Sequence, residues 1–264
     1  MSEFEQAVQP EIAAADATRS GARRVRDLLV LGDLVVATDS SGGIGPKPAD
    51  TVAADARTVG HFALRVPLLE VLCCGALPVA VIDDLCVELE PTGRPMIAEI
   101  HRLAVEAGVP PEAITGSTEE NVATRATGIG VTVLGRLGPD GLHSGGSWPG
   151  DVVLCAGVPL SAPRDELWIG HPGQVPVAAV RTAMASGLVH DALPVGSRGL
   201  AWELPQLAEP AGLSVAWREP EEVCRTDSGG PASCVLFSCA SGAVPRLREL
   251  LGPVPVHEVA DLIG

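Results

Sequence analysis

Residues 66–84 read VPLLEVLCCGALPVAVIDD, and this stretch decides how the N-terminal half of the chain folds. Apolar residues recur at three- and four-residue spacings from residue 54 to residue 74, which predicts a helix that Pro67 should kink or restart. A Gly-Ala-Leu-Pro break follows, and residues 79–89 then predict a buried strand that carries acids at its far end. A helix followed at once by a buried strand is typical of α/β proteins.

The same alternation continues on both sides of this stretch. Helices are predicted at 95–107, 175–186, 200–208 (capped by Ser197) and 247–251, and strands at 33–38, 130–137, 152–156, 188–195, 213–217 and 234–238. Residues 115–121 read as a polar loop, and residues 138–150 are rich in Gly, Ser and Pro. The sequence therefore predicts an α/β fold of layered sheets and helices with four parts: an N-terminal arm (1–24), a first domain (25–137), a linker (138–150) and a second domain (151–264).

Composition limits the classes of partner. The chain of 264 residues is 46% hydrophobic and 19% charged, which is typical of a globular protein. Its formal net charge of −15 disfavours nucleic acid, because an acidic surface repels a phosphate backbone. Aromatic residues make up only 3%, which also argues against a stacking platform for single strands. A small-molecule substrate is the expected partner.

Compartment is predicted from the cysteines and the apolar segments. The seven cysteines have no paired metal-knuckle spacing, so buried thiols in a reducing compartment are expected. The acidic start lacks a signal-peptide pattern. The apolar run at 66–82 contains two prolines and an acid, so this run is predicted to be core, and no membrane partner is expected. The predicted localisation is cytoplasmic.

Acidic residues stand where an acid is costly or oddly placed. One directly follows an apolar strand, one falls on the apolar face of a helix, one pair ends the most apolar strand, and another pair occupies a polar loop. These residues are Asp39, Glu70, Asp83, Asp84, Glu119 and Glu120.

Each acid has an ordinary explanation as a turn former, a strand-end pair or a solvated loop. Together, strand-end acids from several elements can converge at one edge of a sheet. Such an oxygen-rich cluster suits Mg²⁺, which prefers carboxylates, water and substrate phosphates. The sequence therefore predicts these six residues as metal ligands.

The loop after Asp39 is punctuated by glycines. Gly42, Gly43 and Gly45 would let backbone N–H groups approach phosphate oxygens, and Lys47 could neutralise a phosphate, although a lone loop lysine is usually solvated. The loop lacks the Gly-Lys-Ser/Thr of a Walker A motif, the histidines have no metal-ligand spacing, and no nucleophile elbow is present.

Residues 70–78, Glu-Val-Leu-Cys-Cys-Gly-Ala-Leu-Pro, resemble the Asp-x4-Gly-Ala-x-Pro signature of the aminoimidazole ribonucleotide (AIR) synthase superfamily, with Glu70 in place of Asp. Residues 38–47 are similar to the family's Asp-Gly-Val-Gly-Thr-Lys loop. Residues 115–120 resemble its Gly-Gly-Glu/Asp-Thr loop, with Ser117 where the acid usually lies, so Glu119 or Glu120 would have to serve. Arg198-Gly-Leu200 and residues 228–232 resemble C-terminal glycine motifs more weakly.

The resemblance implies a two-domain fold whose N-domain sheet pairs across a homodimer, with ATP held through Mg²⁺. It assigns catalytic roles to Asp39, Glu70 and Glu120. It adds Gly75, Gly116 and Thr118 to Gly42, Gly43, Gly45 and Lys47 as cofactor-binding residues.

Several blocks, among them 38–45, 90–93, 115–121 and 193–197, are most similar to the α-ribazole kinase branch, which phosphorylates a nucleoside hydroxyl in cobalamin salvage. The leading hypothesis is therefore an ATP- and Mg²⁺-dependent kinase, with a nucleoside as the candidate substrate. One alternative is a related ATP-dependent enzyme that acts on an amide or carbonyl oxygen, as in the purine pathway. The other is a non-catalytic nucleotide-binding relative, which the Glu70 and Ser117 departures keep open.

Overall fold

A six-stranded sheet organises the N-terminal half of the protein. The computed structural model describes residues 21–219 and 223–264. The strand order is β1-β2-β3-β8-β6-β7, and β6 and β7 pair in parallel while the other neighbours are antiparallel. The strands are β1 (Ala22–Val25), β2 (Leu28–Leu31), β3 (Leu34–Gly42), β6 (Ala76–Leu85), β7 (Ile114–Thr118) and β8 (Gly128–Leu137), and a separate parallel pair is β4 (Ile44–Gly45) with β5 (Val52–Ala53).

Helices α1 (Ala56–Cys73) and α2 (Arg94–Glu106) pack against each other, and α1 covers β3 and β8. Helix α1 begins where the Asp55 carboxylate accepts a hydrogen bond from the Thr58 N–H at 2.9 Å. It continues through Pro67, so the predicted restart is wrong. A proline removes one helical hydrogen bond, but Leu68 and Leu69, which directly follow it, are fully buried, and this packing holds the helix together.

A five-stranded antiparallel sheet forms the C-terminal half, in the order β10-β12-β9-β13-β11. Its strands are β9 (Val152–Ala156), β10 (Asp191–Pro194), β11 (Ser214–Trp217), β12 (Val235–Cys239) and β13 (Val256–Ile263), and its helices are α3 (Val177–Met184), α4 (Leu200–Ala208) and α5 (Val244–Leu251). Every residue of the central strands β9 and β12 is buried, which explains their continuous apolar sequences.

The two halves share buried structure. One cluster of buried apolar residues includes Val35 of β3, Leu64 of α1 and Phe237 of β12. Arg65 of α1 is also buried, and its guanidinium donates to the carbonyl oxygens of Val175 and Ala232 at 2.6 and 2.9 Å. The predicted division at residues 138–150 therefore stays a prediction, since the core is continuous across it.

A buried ion pair also joins the halves. Arg26, in the turn between β1 and β2, lies 2.6 Å from Asp191 of β10, and the side chains are 8% and 0% exposed. The Gly145 N–H donates to the same carboxylate at 3.0 Å. Burial raises the pKa of Asp191, and Arg26 opposes that rise.

We expect Asp191→Asn to lower the free energy of unfolding by about 3 kcal/mol, because it leaves the Arg26 charge buried without its counter-ion. Urea denaturation followed by circular dichroism measures this. The matched control is Asp33→Asn, whose pair with Arg136 is 63% and 60% exposed and should cost at most about 0.5 kcal/mol. Equal losses in the two variants would show that burial of the pair adds nothing.

Some elements differ from the sequence predictions. Residues 114–118 form β7 rather than a loop, because their backbone pairs in register with residues 81–85 of β6. Helix α4 is capped by Gly199 and not by Ser197. Gly199 has a φ of +72°, and an added Cβ would lie 2.6 Å from the Asp227 carbonyl oxygen, so the chain needs glycine there.

Strands β1, β2 and β13 have no counterpart among the predicted elements. The polar sequence ARRV of β1 lies partly within the predicted N-terminal arm, of which residues 1–20 fall outside the described residues. Across residues 21–219 and 223–264, no helix is long and apolar enough to cross a membrane.

Candidate functional site

A cleft of about 1530 Å³ lies between the two halves. Strands β2 and β3 and helix α1 form most of its N-terminal wall. The C-terminal wall consists of residues 161–168, residues 196–206 around the start of α4, and residues 230–231. The described fold thus places side chains from both halves around one space that is large enough for more than one small ligand.

Carboxylates line this cleft from separate elements, and Asp27, Asp39, Glu70 and Glu203 are together called the acidic cluster here. Asp27 occupies the turn between β1 and β2, Asp39 lies in β3, Glu70 lies in α1 and Glu203 lies in α4. Glu70 is half-buried and Glu203 is buried. The cluster therefore joins two sequence-predicted acids with two that the sequence reasoning did not single out.

Three acids of the cluster, Asp39, Glu70 and Glu203, have raised pKa values. Burial, reinforced by the charges of Asp27 and Glu203, raises the pKa of Glu70 to about 8. Burial, again with Asp27, raises the pKa of Glu203 to about 7. Burial also raises the pKa of Asp39, although the Ser40 N–H opposes the rise. Nearby positive charges offset the rise only in part: Arg26 lowers the pKa of Glu70, and Arg26 and Arg198 lower the pKa of Glu203.

Arg26 borders the cluster but does not neutralise it. Its guanidinium already forms two hydrogen bonds with Asp191, at 2.6 and 3.0 Å, and donates to the Ala192 and Gln206 carbonyl oxygens. Its charge lowers the pKa of Glu70 less than Asp27 and Glu203 raise it. A cationic ligand would therefore meet carboxylates that the neighbouring arginines compensate only in part.

A signal for Glu203 is visible in the sequence. It follows Leu200 by three residues and precedes Leu204 and Leu207, so it lies on the apolar face of α4. This is the same criterion that singled out Glu70. Asp27 has no comparable signal, since it lies in a polar turn that reaches the cleft only through the pairing of β1 with β2.

Asp83 lies in the same cross-strand row as Asp39. The register pairs Asp39 with Val131 on β8, Val131 with Asp83 on β6, and Asp83 with Gly116 on β7. Directly paired residues share a face of the sheet, so Asp39 and Asp83 lie on the same side, two strand spacings or about 10 Å apart. Asp83 is buried, and burial raises its pKa.

Asp84 points to the opposite face of the sheet from Asp83. It is exposed, and the Ser117 hydroxyl donates to its carboxylate at 3.2 Å. Neither Asp83 nor Asp84 lines the cleft. Of this strand-end pair, only Asp83 can therefore act on the same side of the sheet as Asp39.

The glycine loop is held by internal hydrogen bonds. The Gly43 N–H donates to the Thr127 carbonyl oxygen at 2.9 Å, so it is not directed at the cleft. An added Cβ on Gly45 would lie 2.3 Å from Thr127 Oγ1, whereas Gly42 has open space around it. Lys47 Nζ lies 2.5 Å from Glu88 and 3.0 Å from the Thr124 carbonyl oxygen. None of these four predicted residues lines the cleft.

The remaining predicted residues also lie outside the cleft lining, which does not include Gly75, Gly116, Thr118, Glu119 or Glu120. The Glu120 carboxylate accepts from the Leu89 N–H at 2.7 Å and from the Thr118 hydroxyl at 3.1 Å. The Glu119 carboxylate accepts from the Asn121 N–H at 2.7 Å. Glu119 thus stabilises its own loop, and Glu120 joins that loop to the segment at Leu89.

Gly75 and Gly116 each make room for a side chain. An added Cβ on Gly75, whose φ is +87°, would lie 2.5 Å from the His143 ring, and one on Gly116 would lie 1.6 Å from an Asp83 carboxylate oxygen.

Of the sequence-predicted site residues, the structure brings Asp39 and Glu70 together in the cleft.

Mg²⁺ needs oxygen ligands, which the carboxylates of the cleft could supply. Among the described residues, no group of three or more His, Cys, Asp or Glu side chains is arranged to hold a metal ion by itself. Mg²⁺ is, however, usually bound through one or two carboxylates, with waters and substrate phosphates completing its shell. Asp39 and Glu70, which both line the cleft and both have raised pKa values, fit that incomplete form of site.

Comparison with known proteins agrees with this architecture. Residues 26–137 match the family model described as AIR synthase related protein, N-terminal domain. The matched segment contains β2, β3, α1 and β6 to β8, and thus both Asp39 and Glu70. No curated protein matches the sequence.

Solved structures resemble the whole fold. HypE in a HypE–HypF complex is 17% identical with a TM-score of 0.67, covering 98% of this chain and 91% of that chain. HypE in complex with ATP is 17% identical with a TM-score of 0.63, covering 88% and 77%. Thiamine-monophosphate kinase from Stenotrophomonas maltophilia K279a is 15% identical with a TM-score of 0.62, covering 93% and 89%. The mixed α/β, AIR synthase-like fold predicted from the sequence is therefore confirmed.

Proposed function

We propose that the protein is an ATP-dependent enzyme that transfers a phosphoryl group to the hydroxyl of a small molecule in the cleft. The observation that carries this proposal is the pair Asp39 and Glu70, two carboxylates with raised pKa values that line the same large cleft. The similarity to HypE with ATP and to thiamine-monophosphate kinase supports the choice of nucleotide and reaction class.

In this proposal Asp39 and Glu70 hold Mg²⁺ together with the phosphates of ATP. When bound, the ion supplies neutralisation of the charge on the transferring phosphoryl group. The cleft positions the acceptor alcohol, and the products are a phosphate monoester, ADP and one proton. Glu203 is the proposed acceptor of that proton, because a group with a pKa of about 7 can take up a proton at neutral pH.

The roles of the other predicted metal ligands remain predictions. Asp83 is the next candidate carboxylate, since it shares a face with Asp39. The proposed roles of Asp84, Glu119, Glu120 and of the glycine loop rest on their placement in the sequence and on the family resemblance. The finer proposal for the acceptor is α-ribazole, which rests on the same resemblance.

The test is an assay of purified protein with ATP, Mg²⁺ and a panel of alcohols that includes α-ribazole, thiamine and simple ribosides. The expected result is Mg²⁺-dependent ADP formation with a matching amount of phosphorylated acceptor. ADP and inorganic phosphate without a phosphorylated product would indicate activation of an amide or carbonyl oxygen instead. Nucleotide binding without turnover on any acceptor would overturn the enzyme proposal.

A homodimer is proposed as the working assembly. The face of the N-terminal sheet opposite α1 carries exposed apolar side chains, among them Leu29 and Leu77 at 39% and 68% exposure. An exposed apolar sheet face is a common protein–protein contact. Light scattering after gel filtration should give twice the 27.0 kDa of one chain, and the mass of a single chain would contradict the proposal.

A further inference from the structure

Arg65 is a buried cation whose hydrogen-bond partners are backbone carbonyl oxygens and not an acid. It lies in α1 and is 2% exposed. Its guanidinium donates to the Ala232 carbonyl oxygen through Nε and Nη2, at 3.2 and 2.9 Å, and to that of Val175 through Nη2 at 2.6 Å. Burial lowers the pKa of Arg65 to about 10, so it stays charged at neutral pH. Carbonyl dipoles compensate a charge less fully than a carboxylate does, so burying Arg65 costs stability.

Ala232 belongs to a strained turn at the edge of the cleft. The turn, residues 229–232, is called the wall turn here because Gly230 and Pro231 line the cleft. Ala232 is buried and has a φ of +51°, a left-handed conformation that its Cβ makes unfavourable. A strained backbone of this kind persists only where its surroundings fix it, and it is found preferentially at binding and active sites.

Contacts from both halves of the molecule fix the wall turn. Within the C-terminal half, the Ser233 N–H donates to the Gly229 carbonyl oxygen at 2.9 Å, and Ser233 Oγ accepts from the Leu160 N–H at 2.9 Å. An added Cβ on Gly230 would lie 2.4 Å from the Leu160 carbonyl oxygen, so the two segments are in close contact. From the N-terminal half, Arg65 reaches the turn through its two bonds to Ala232.

We infer that Arg65 is a positioning residue that fixes the wall turn relative to Glu70. Both side chains belong to α1, and Glu70 follows Arg65 by five residues, which is about 140° farther round the helix. One side of the helix thus presents Glu70 to the cleft while another holds the wall turn. The consequence for turnover rests on the proposed function, whereas the positioning itself does not require that the cleft be a kinase site.

A guanidinium is suited to this role because its planar fork can hold two carbonyl oxygens at once. Arg65→Lys keeps the charge, but a flexible ammonium does not fix both oxygens in one arrangement. Arg65→Met fills a similar space and removes the cost of the buried charge. The two variants therefore separate the geometry of the guanidinium from its charge and from its volume.

Hydrogen exchange followed by mass spectrometry tests the positioning without any ligand. In both variants the amides of Val175 and Ser233 should exchange at least about tenfold faster than in the wild type, because their neighbouring carbonyl groups are no longer held. The amides of Leu68 and Leu69 in α1 should keep their wild-type rates.

Arg57→Lys is the matched control for these variants. Arg57 lies on the same helix, but its side chain is 58% exposed and its partner is Glu99. This variant should leave exchange at Val175 and Ser233 unchanged, since neither the cleft nor the wall turn includes Arg57.

The effect on turnover is measured in the assay described above, with the acceptor that the panel identifies. Arg65→Lys should lower kcat about 10- to 100-fold, because a displaced wall misaligns the bound reactants. Calorimetric affinity for Mg²⁺ with the ATP analogue AMPPCP should change less than twofold, since Asp39 and Glu70 still hold the metal and the phosphates in the proposal.

The outcomes separate the positioning from the kinase reaction. Unchanged exchange at Val175 and Ser233 in both variants overturns the inference. Equal acceleration throughout the protein also overturns it, because Arg65 would then be a general stabiliser. Local acceleration with an unchanged kcat overturns the role in turnover. Local acceleration in a protein whose wild type forms no ADP overturns the kinase proposal and leaves the positioning of the wall turn standing.

Discussion

Glu70→Gln is expected to raise the melting temperature at pH 8 by about 5 °C while it abolishes binding of Mg²⁺–ATP. The pKa of Glu70 in the folded protein is about 8, compared with an ordinary 4.5. At pH 8 the unfolded chain carries an ionised Glu70, so folding must either bury that charge or take up a proton. Replacing the acid removes an unfavourable contribution to folding of roughly 2 kcal/mol or more at pH 8. For a chain of this size that raises the melting temperature by about 5 °C.

The sign of this effect depends on pH. Below about pH 4.5, Glu70 is protonated in both states and contributes no pH-dependent cost. As the pH rises from 4.5 towards 8, the unfolded state loses its proton first, and the stability of the wild type falls. The stabilisation by Glu70→Gln should therefore be near zero at pH 4.5 to 5 and largest at pH 8, measured by differential scanning calorimetry at both values.

The binding half of the prediction uses titration calorimetry with Mg²⁺–AMPPCP at pH 8. Wild-type affinity should rise between pH 6 and pH 8 because the cation displaces a proton from Glu70. Glu112→Gln is the matched control, since Glu112 is exposed and lies outside the cleft. A Glu70→Gln variant that binds the nucleotide as tightly as the wild type, or that is less stable at pH 8, would exclude Glu70 as the buried metal-binding carboxylate.

Gly116→Ala is expected to lower the free energy of unfolding by about 3 kcal/mol or more and to displace Asp83. A Cβ at residue 116 would lie 1.6 Å from the Asp83 carboxylate and 2.0 Å from its backbone carbonyl oxygen. The carboxylate can rotate away, but the backbone oxygen belongs to the β6–β7 pairing, so the two strands must separate. Urea unfolding measures the loss.

Gly42→Ala is the comparison for this prediction. Gly42 lies in β3, and an added Cβ there meets no atom within 4 Å, so its replacement should change stability by less than about 0.5 kcal/mol. Both glycines are predicted from the sequence as cofactor-binding residues, yet only one is tightly packed. If the two variants unfold at the same urea concentration, the close approach at Gly116 is relieved without strand separation.

Local sequence patterns predict the site residues whose burial depends on their own helix or strand. Glu70 is recognisable because an acid on the apolar face of a helix is costly, and Asp39 because it follows an apolar strand. The same reasoning applies to Glu203, a buried acid on the apolar face of α4. The alternation of helices and strands also follows from the spacing of apolar residues, with periods of 3.6 and 2, and the fold confirms this prediction.

Long-range pairing decides the rest. The sequence cannot tell whether Asp83 or Asp84 shares a face with Asp39, because that depends on the register of β6 against β8. Lys47 looks like a phosphate ligand until its partner Glu88, 41 residues away, is placed beside it. Strand β1 has a polar sequence, and only its pairing with β2 makes Asp27 part of the cleft.

Helix α1 belongs to both halves of the molecule at once. It contacts β3 and β8 on one side and α3 and β10 on the other, and Arg65 holds the backbone at Val175 and Ala232. Walls fixed to one helix cannot swing apart or together without breaking buried hydrogen bonds. Ligand entry and release should therefore not depend on a hinge motion between the two halves.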